Sequence, residues 1–292
     1  MKKLLIVALS AVLAVMAVEP AHAQDQKVQD QKVLAIIDTA IDSKKIPAVI
    51  YEACFTVNRS CPNGLAFMEG TGSARSMVWP ASITNDTYHG HNMTQAALAI
   101  NPNIKIVFVR IADITAQGNS GNQPQSLSLA IDWVSKNAST YSIDAVSISQ
   151  SGTSSNNLLS CSKDVVTINA VASLNSQNIP TFAATGNNGS QTLVGFPACI
   201  SSVIGVGALA AFPKTPTVYN NFAGNTNRGP GLDLVAPGDI SILRYNGSLG
   251  ETNSTSGATV IAASSYLKSS STTFSDFASK LVKVLGYPYI SK

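Results

Sequence analysis

Charged side chains are scarce in this sequence. Only 12% of the 292 residues are charged, and the 19 basic and 16 acidic residues give a formal net charge of +3. Clusters of Lys and Arg, which attract nucleic acids and anionic membranes, are lacking. We therefore expect neither nucleic acid nor a membrane surface as a partner. Abundant Ser, Thr, Asn and Gly predict a polar, mostly uncharged surface, which is typical of an exported protein.

Long apolar runs are lacking too, except at the N-terminus. There a basic dipeptide, an apolar run over 4–18 and a small-x-small motif ending at Ala23 follow one another. This order is typical of a secretory signal, and the run is too short to span a bilayer. We predict that residues 1–23 are removed, leaving one domain over 24–292. The product should be a secreted monomer, extracellular or periplasmic, with no membrane contact.

Cysteine is rare, even in number and never arranged as C-x-x-C. The four residues are Cys54, Cys61, Cys161 and Cys199. In an exported chain an even set favours disulfides, for which three pairings are open. A metal site is the weaker alternative, because the spacing does not match known zinc motifs. We expect no metal among the site residues.

Strand and helix signals alternate along the chain. Short apolar, β-branched runs predict buried strands at 33–37, 104–111, 145–148, 179–184, 202–207 and 232–235. Apolar residues at helical spacing predict helices at 88–100, 127–134, 166–174 and 274–285. Residues 54–86 are predicted to form surface loops. The alternation indicates an α/β fold with three α/β/α layers around a central, mostly parallel sheet.

Three polar features stand where such folds build their sites. Asp38 ends the first strand, and His89 opens a helix whose dipole favours the neutral ring that a general base needs. The Ser254-Thr255-Ser256 turn precedes an apolar helix, whose N-terminal amides stabilise developing negative charge. Each feature alone also fits a purely structural role, since Asp and Ser cap turns and helices and a lone His is often merely exposed.

Together the features occur in the order Asp, His, Ser, which is the order of subtilisin. Residues 34–42 resemble the aspartate motif of subtilisin-like serine peptidases, 89–93 their histidine motif and 254–258 their Gly-Thr-Ser-x-Ala serine motif. Non-catalytic stretches match as well, at 144–149, 184–189, 194–198, 203–207 and 228–238. The resemblance covers essentially the whole chain after the leader.

This resemblance implies a serine endopeptidase that works through an acyl-enzyme. Ser256, rather than Ser254, is the expected nucleophile, His89 the general base and Asp38 the residue that orients the ring. Asn187 is expected to donate its side-chain N–H to the oxyanion. The substrates implied are polypeptides, and the reaction implied needs no cofactor.

The resemblance also implies a substrate site. Ser149, Gln150, Ser151 and Gly152 are expected to pair with the substrate backbone as an added strand. Gly195 should lie at the floor of the primary specificity pocket, with Ala183, Ala184 and Gly152 along its walls. Small uncharged residues predict a wide apolar slot and a preference for large apolar or aromatic residues on the acyl side of the cut bond.

Several positions depart from the family pattern. Ala40 and Ser254 stand where the family has Gly, Gly257 where Met usually follows the serine, and Thr259-Val260 where Ser-Pro or Ala-Pro opens the helix. His91 adds a second histidine to its motif. No catalytic group is lost, but the serine turn is altered. The alternative is therefore a weakly active or inactive relative that acts as an exported peptide-binding protein.

Two further expectations concern segments that the family usually carries. Only residues 24–32 separate the predicted cleavage site from the first strand, so we expect no prodomain. Only residues 101–103 lie between the first helix and the next strand, so the loop that wraps a tight Ca²⁺ ion in the relatives should be absent. Weak calcium binding stays open. For the disulfides we expect the pairs Cys54–Cys61 and Cys161–Cys199.

Overall fold

The computed structural model describes residues 31–77, 87–115, 118–153, 160–210 and 221–291. The predicted signal over 1–23 lies outside these residues, so the proposed processing and domain boundary remain predictions. No helix among the described residues combines the length and apolar character that a membrane crossing requires.

A nine-stranded sheet forms the middle of the fold. In chain order the strands of the protein are β1 (Val33–Asp38), β2 (Val49–Phe55), β3 (Phe67–Glu69), β4 (Lys105–Arg110), β5 (Ala112–Thr115), β6 (Gly118–Asn122), β7 (Ile143–Ile148), β8 (Thr181–Ala184), β9 (Ile204–Ala210), β10 (Asn221–Phe222), β11 (Leu234–Pro237), β12 (Ser241–Leu243), β13 (Leu249–Glu251), β14 (Lys283–Val284) and β15 (Tyr287–Pro288). The sheet order is β10-β9-β8-β7-β1-β4-β2-β3, and β11 also pairs with β9. Among the described strands of this sheet, only β3 and β10 are antiparallel to their neighbours.

Helices cover both faces of this sheet. They are α1 (His89–Ile100), α2 (Pro124–Asn137), α3 (Val165–Ser176), α4 (Thr255–Lys268) and α5 (Phe274–Ser279). Alternate residues of β1 point to opposite sides, so that Ala35 and Ile37 join the core of α2 and α3, whereas Leu34 and Ile36 join that of α1 and α4. The predicted three-layer α/β/α fold is confirmed.

Strand β2 was not predicted, because residues from 54 onward were expected to be loops and Glu52 interrupts its apolar pattern. The strand nevertheless lies inside the sheet, parallel to β4. Glu52 is buried, and its carboxylate accepts hydrogen bonds from the backbone of Gly72 (2.8 Å) and Ala74 (3.1 Å). The following loop thus supplies the donors that a buried carboxylate requires.

The last helix is shorter than predicted. It ends at Ser279 and not near residue 285, and β14 and β15 form a hairpin in the remainder of the segment. Leu285 and Gly286 link these two strands, both with positive φ (54° and 86°). Two successive residues of this kind suit a tight hairpin turn, so Gly286 serves the hairpin and does not cap a helix.

The structure contains both expected disulfide bonds. Cys54, in β2, is bonded to Cys61, seven residues later. Cys161 is bonded to Cys199 across a separation of 38 residues, which ties the chain before α3 to the segment that precedes β9. No cysteine of the chain is left over.

Candidate active site

The end of β1 fixes the start of α1. The hydroxyl of Thr39 accepts a hydrogen bond from the Gly90 amide (2.9 Å), and the carbonyl of Ala40 accepts one from the next amide of the helix (3.0 Å). These two acceptors satisfy N–H groups that no residue of α1 can satisfy. The first residue of the helix, His89, is therefore held beside the last residue of the strand, Asp38.

Asp38 and His89 form a close pair. The Nδ1 atom of His89 lies 2.8 Å from Oδ1 and 3.0 Å from Oδ2 of Asp38. Asp38 is fully buried, whereas the His89 side chain is 26% exposed. An ionised carboxylate only accepts hydrogen bonds, so it favours the proton on Nδ1 and leaves Nε2 as the accepting nitrogen of the neutral ring. This is the tautomer that a general base needs.

The serine turn gives its two serines different positions. Ser254 is the N-cap of α4, and its hydroxyl accepts from the Gly257 amide at 3.5 Å. Ser256 is the second residue of the helix and 6% exposed. Its hydroxyl donates to the carbonyl of Ser149 (3.2 Å), and the Ser149 hydroxyl donates to the carbonyl of Ser256 (3.1 Å). The capping role thus belongs to Ser254, and Ser256 lies against the end of β7.

The unusual Gly257 has a steric reason. A Cβ atom at this position would collide with the hydroxyl of Thr252 and lie 2.6 Å from the carbonyl oxygen of Gly238. The Thr252 hydroxyl itself joins the backbone of Gly238 (2.6 Å) and Ile240 (3.1 Å), so it cannot move without breaking two hydrogen bonds. The loop around β12 and β13 therefore closes directly on the first turn of α4, where only glycine fits.

Asn187 lies after β8, close to the same turn. Its Oδ1 atom accepts hydrogen bonds from the backbone amide (3.0 Å) and the hydroxyl (2.9 Å) of Thr255. Because the oxygen is held in this way, the Nδ2 group is left as the donor, and no described residue accepts a hydrogen bond from it. Thr255, the neighbour of Ser256, thus orients the amide of Asn187.

A buried asparagine that the sequence did not single out holds the loop that carries Asn187. The Nδ2 of Asn227 donates to the carbonyl of Thr185 (3.1 Å). Its Oδ1 accepts from the amides of Asn188 and Ser190, each at 3.0 Å. The spacing of about 40 residues carries no signal in the sequence, because only the fold brings Asn227 to this loop.

The segment 149–152 is anchored at both ends. Ser149 is bonded to the serine turn, and Gly152 exchanges two backbone hydrogen bonds with Phe196 (3.0 and 2.8 Å). Between these anchors, Nε2 of Gln150 donates to Oδ1 of Asp38 at 2.8 Å. The sequence suggested Gln150 only for its backbone, so the contact of its side chain with Asp38 was missed.

Residues assigned to the specificity pocket lie close together, with one difference from the expectation. Ala183 and Ala184 are buried in β8, and the Gly195 amide donates to the carbonyl that follows this strand (2.8 Å). A Cβ atom on Gly195 would collide with the hydroxyl of Ser151 and lie 2.9 Å from the carbonyl oxygen of Gly152. A hydroxyl therefore lies in front of Gly195, the residue expected at the floor of the specificity pocket.

His91, the second histidine of the motif, does not join this group. It is buried, and its ring meets the ring of Tyr245 edge-on with centroids 5.4 Å apart. Burial, followed by the nearby charge of Lys45, lowers the pKa of His91 to about 4, although the charge of Asp42 acts in the opposite direction. Across the described parts of the chain, three or more His, Cys, Asp or Glu residues are nowhere grouped closely enough to hold a metal ion.

The geometry agrees with comparisons to known proteins. A family model described as the subtilase family matches residues 29–275, and the chain therefore belongs to the subtilase family. Subtilisin amylosacchariticus of Bacillus subtilis subsp. amylosacchariticus and subtilisin J of Geobacillus stearothermophilus are each 28% identical to it over 243 residues. Each match covers 82% of this chain and 55% of the relative, so the chain spans about half the length of these curated relatives.

Solved structures show the same fold. A protease from Pseudoalteromonas arctica superposes with a TM-score of 0.64 at 19% identity, covering 81% of this chain and 76% of that chain. A cold-adapted subtilisin-like serine proteinase gives a TM-score of 0.56, also at 19% identity, over 81% of this chain and 75% of its own. At this level of identity the likeness establishes the three-layer architecture.

Proposed function

We propose that this chain is a secreted serine endopeptidase in which Asp38, His89 and Ser256 form the catalytic triad. One observation carries the proposal: the close pair of Asp38 and His89 lies at the carboxyl edge of the sheet, where the first turn of α4 presents Ser256. Asn187, held by Thr255 beside the same turn, supports a role as oxyanion donor.

In the proposed reaction the Ser256 hydroxyl leaves the Ser149 carbonyl and turns towards His89. Nε2 of His89 takes the hydroxyl proton while Oγ attacks the peptide carbonyl carbon. The oxyanion receives hydrogen bonds from Nδ2 of Asn187 and from the Ser256 amide. Collapse expels the amine, which takes the proton from His89, and leaves an acyl-enzyme. Water, activated by the same ring, then releases the acid and restores the serine.

The proposed substrates are polypeptides bound in extended form. Residues 149–152 would pair with the substrate backbone, because the segment is held rigidly at both ends beside Ser256. For the acyl side of the cut bond we keep the predicted preference for apolar residues. Because the Ser151 hydroxyl lies in front of Gly195, we expect the largest aromatic side chains to be accepted less well than the sequence suggested.

Export is part of the proposal. It rests on the signal predicted over 1–23 and on two disulfides, which persist in oxidising compartments. The proposed chemistry uses no metal or cofactor. That the family's tight calcium site is missing also remains a proposal. It is supported by the short turn after α1, in which Asn101 accepts a hydrogen bond from the Asn103 amide (3.3 Å).

The alternative is a relative that binds exported peptides without cleaving them. Its motivation was the altered serine turn. In the structure Ser254 caps α4 and Gly257 fits the loop below it, so these substitutions do not displace Ser256 from the turn. These contacts favour the peptidase over the binding protein.

A serine-directed fluorophosphonate probe tests the proposal. The probe should label the protein on Ser256, as mapped by peptide mass spectrometry, and Ser256→Ala should abolish both labelling and hydrolysis of denatured casein. Ser254→Ala is the matched control: it should keep labelling and lose only about 1 kcal/mol of stability with the helix cap. Labelling on Ser254 would show that the motif is misaligned. An unlabelled wild-type protein that still binds denatured casein would support the alternative.

A further inference from the structure

The charge of Asp38 is satisfied by few donors, and one of them, Gln150, lies 112 residues away in the chain. Asp38 is completely buried, so its carboxylate depends on protein donors. Oδ1 receives the Thr39 amide (2.6 Å), Nδ1 of His89 (2.8 Å) and Nε2 of Gln150 (2.8 Å). Thr39 is the next residue in the chain and His89 is the proposed base. Gln150 is thus the side-chain donor that the proposed reaction has not used.

The position of Gln150 is well defined. It follows Ser149, which exchanges two hydrogen bonds with Ser256, and it precedes Gly152, which exchanges two with Phe196. The amide therefore reaches Asp38 from a backbone that is fixed at both ends. A donor held in this way loses little entropy when it binds the carboxylate, and it limits rotation of the carboxylate about its own bonds.

A hydrogen-bond donor on Oδ1 also changes how strongly Asp38 attracts His89. Donors that stabilise a carboxylate take up part of its negative charge, so less of it acts on the imidazolium that forms during the proposed reaction. Removing the amide should orient the ring less well and make its protonated form more stable. The ring would then stay protonated to higher pH, where it cannot act as a base.

We propose that Gln150 is a positioning residue that acts through Asp38 to fix the orientation of His89 and to set the pH range in which the triad works. The inference rests on the proposed function for its catalytic readout. It does not require Gln150 to touch the substrate with its side chain.

The test compares Gln150→Leu, which removes the donor at similar volume, with Gln150→Glu, which places a second carboxylate beside Asp38. Gln177→Leu is the control, because Gln177 is an exposed amide that donates to Ser173 at the end of α3. The rate of fluorophosphonate labelling is measured against pH, since this small probe does not need the substrate strand. The titration of the His89 ring is followed by NMR in the same proteins.

Gln150→Leu should lower the labelling rate at its optimum about tenfold. It should also move the acid limb and the NMR midpoint of His89 upward by about half a pH unit, and Gln150→Glu should move both by about one unit because it adds a charge. Gln177→Leu should change neither. Equal His89 midpoints in all four proteins would overturn the proposal. If wild-type protein is not labelled at all, the proposed function fails, but the NMR midpoints still decide the role of Gln150.

Discussion

The surroundings of His89 and His91 differ sharply, although both residues lie in the first turn of α1. His89 is partly exposed and held by the carboxylate of Asp38. His91 is 2% exposed, lies beside Tyr245, and has no hydrogen-bond partner for Nδ1 among the described residues. The same helix dipole acts on both rings, so the dipole alone does not select the base.

The difference shows what makes a histidine useful at this site. A carboxylate beside the ring stabilises the imidazolium and fixes the tautomer, and the His89 side chain is partly exposed. His91 has an aromatic neighbour instead and a pKa near 4, so at neutral pH it remains an uncharged part of the core. Side-chain contacts, rather than position in the motif, separate the two roles.

The largest effect should come from removing the ring of His89, and removing the ring of His91 is the matched comparison. His89→Ala should lower kcat about 10⁶-fold, the magnitude measured for the corresponding change in subtilisin. His91→Gln should leave kcat within about threefold, because the His91 ring contacts Tyr245 and not the proposed catalytic side chains. Turnover of a chromogenic peptide measures both. Comparable losses of kcat in the two variants would show that His91 also contributes to the reaction, so the two histidines would not differ in role.

The second prediction concerns stability at low pH. The pKa of His91 is about 4 in the folded protein, against about 6.5 in an unfolded chain. Between these values the unfolded chain binds a proton that the folded protein does not, so stability is lost as the pH falls through this range. The loss from this group should reach about 2 to 3 kcal/mol, reduced from the full value by residual solvation.

Urea unfolding of inhibited wild-type and His91→Gln proteins at pH 4.5 and pH 7 measures this contribution. The variant should be less stable than wild type at pH 7, where it loses packing, and should lose less stability on acidification. Parallel stability curves for the two proteins between these pH values would mean that His91 does not titrate as its burial implies.

The smallest effect should come from Lys45. Its ammonium lies 3.8 Å from the centre of the Tyr245 ring and donates to the Tyr245 carbonyl (3.1 Å), and its charge is the second cause that lowers the pKa of His91. Lys45→Met should therefore raise the NMR midpoint of His91 by a few tenths of a pH unit, about the size expected for an exposed charge. Lys44→Met, one residue earlier and also exposed, should not. An equal shift in both variants would point to net charge rather than to this contact.

Most of the fold could be predicted from local sequence patterns. All six predicted strands are present, as are the helices predicted at 88–100, 127–134 and 166–174 and the helix predicted after the serine turn, because apolar runs and helical spacing report burial residue by residue. The failures have specific causes. Strand β2 was not predicted because Glu52 interrupts its apolar pattern. The amides that satisfy this buried carboxylate, at Gly72 and Ala74, lie some twenty residues away in the chain. Near the C-terminus, helical spacing predicted a helix up to about residue 285, but a two-residue turn at 285–286 forms a hairpin there instead.

By itself, the sequence determined the family motifs, the alternation of strands and helices and the positions of Asp38, His89, Asn187 and Ser256 at element ends, because these features depend on short stretches. Tertiary structure alone decided which distant groups meet. Gln150 reaches Asp38 across 112 residues only because β7 lies beside β1, and Asn227 reaches the loop after β8 only because the chain returns to it. Hydrogen bonds of this kind are set by the order of strands in the sheet, which no local pattern records.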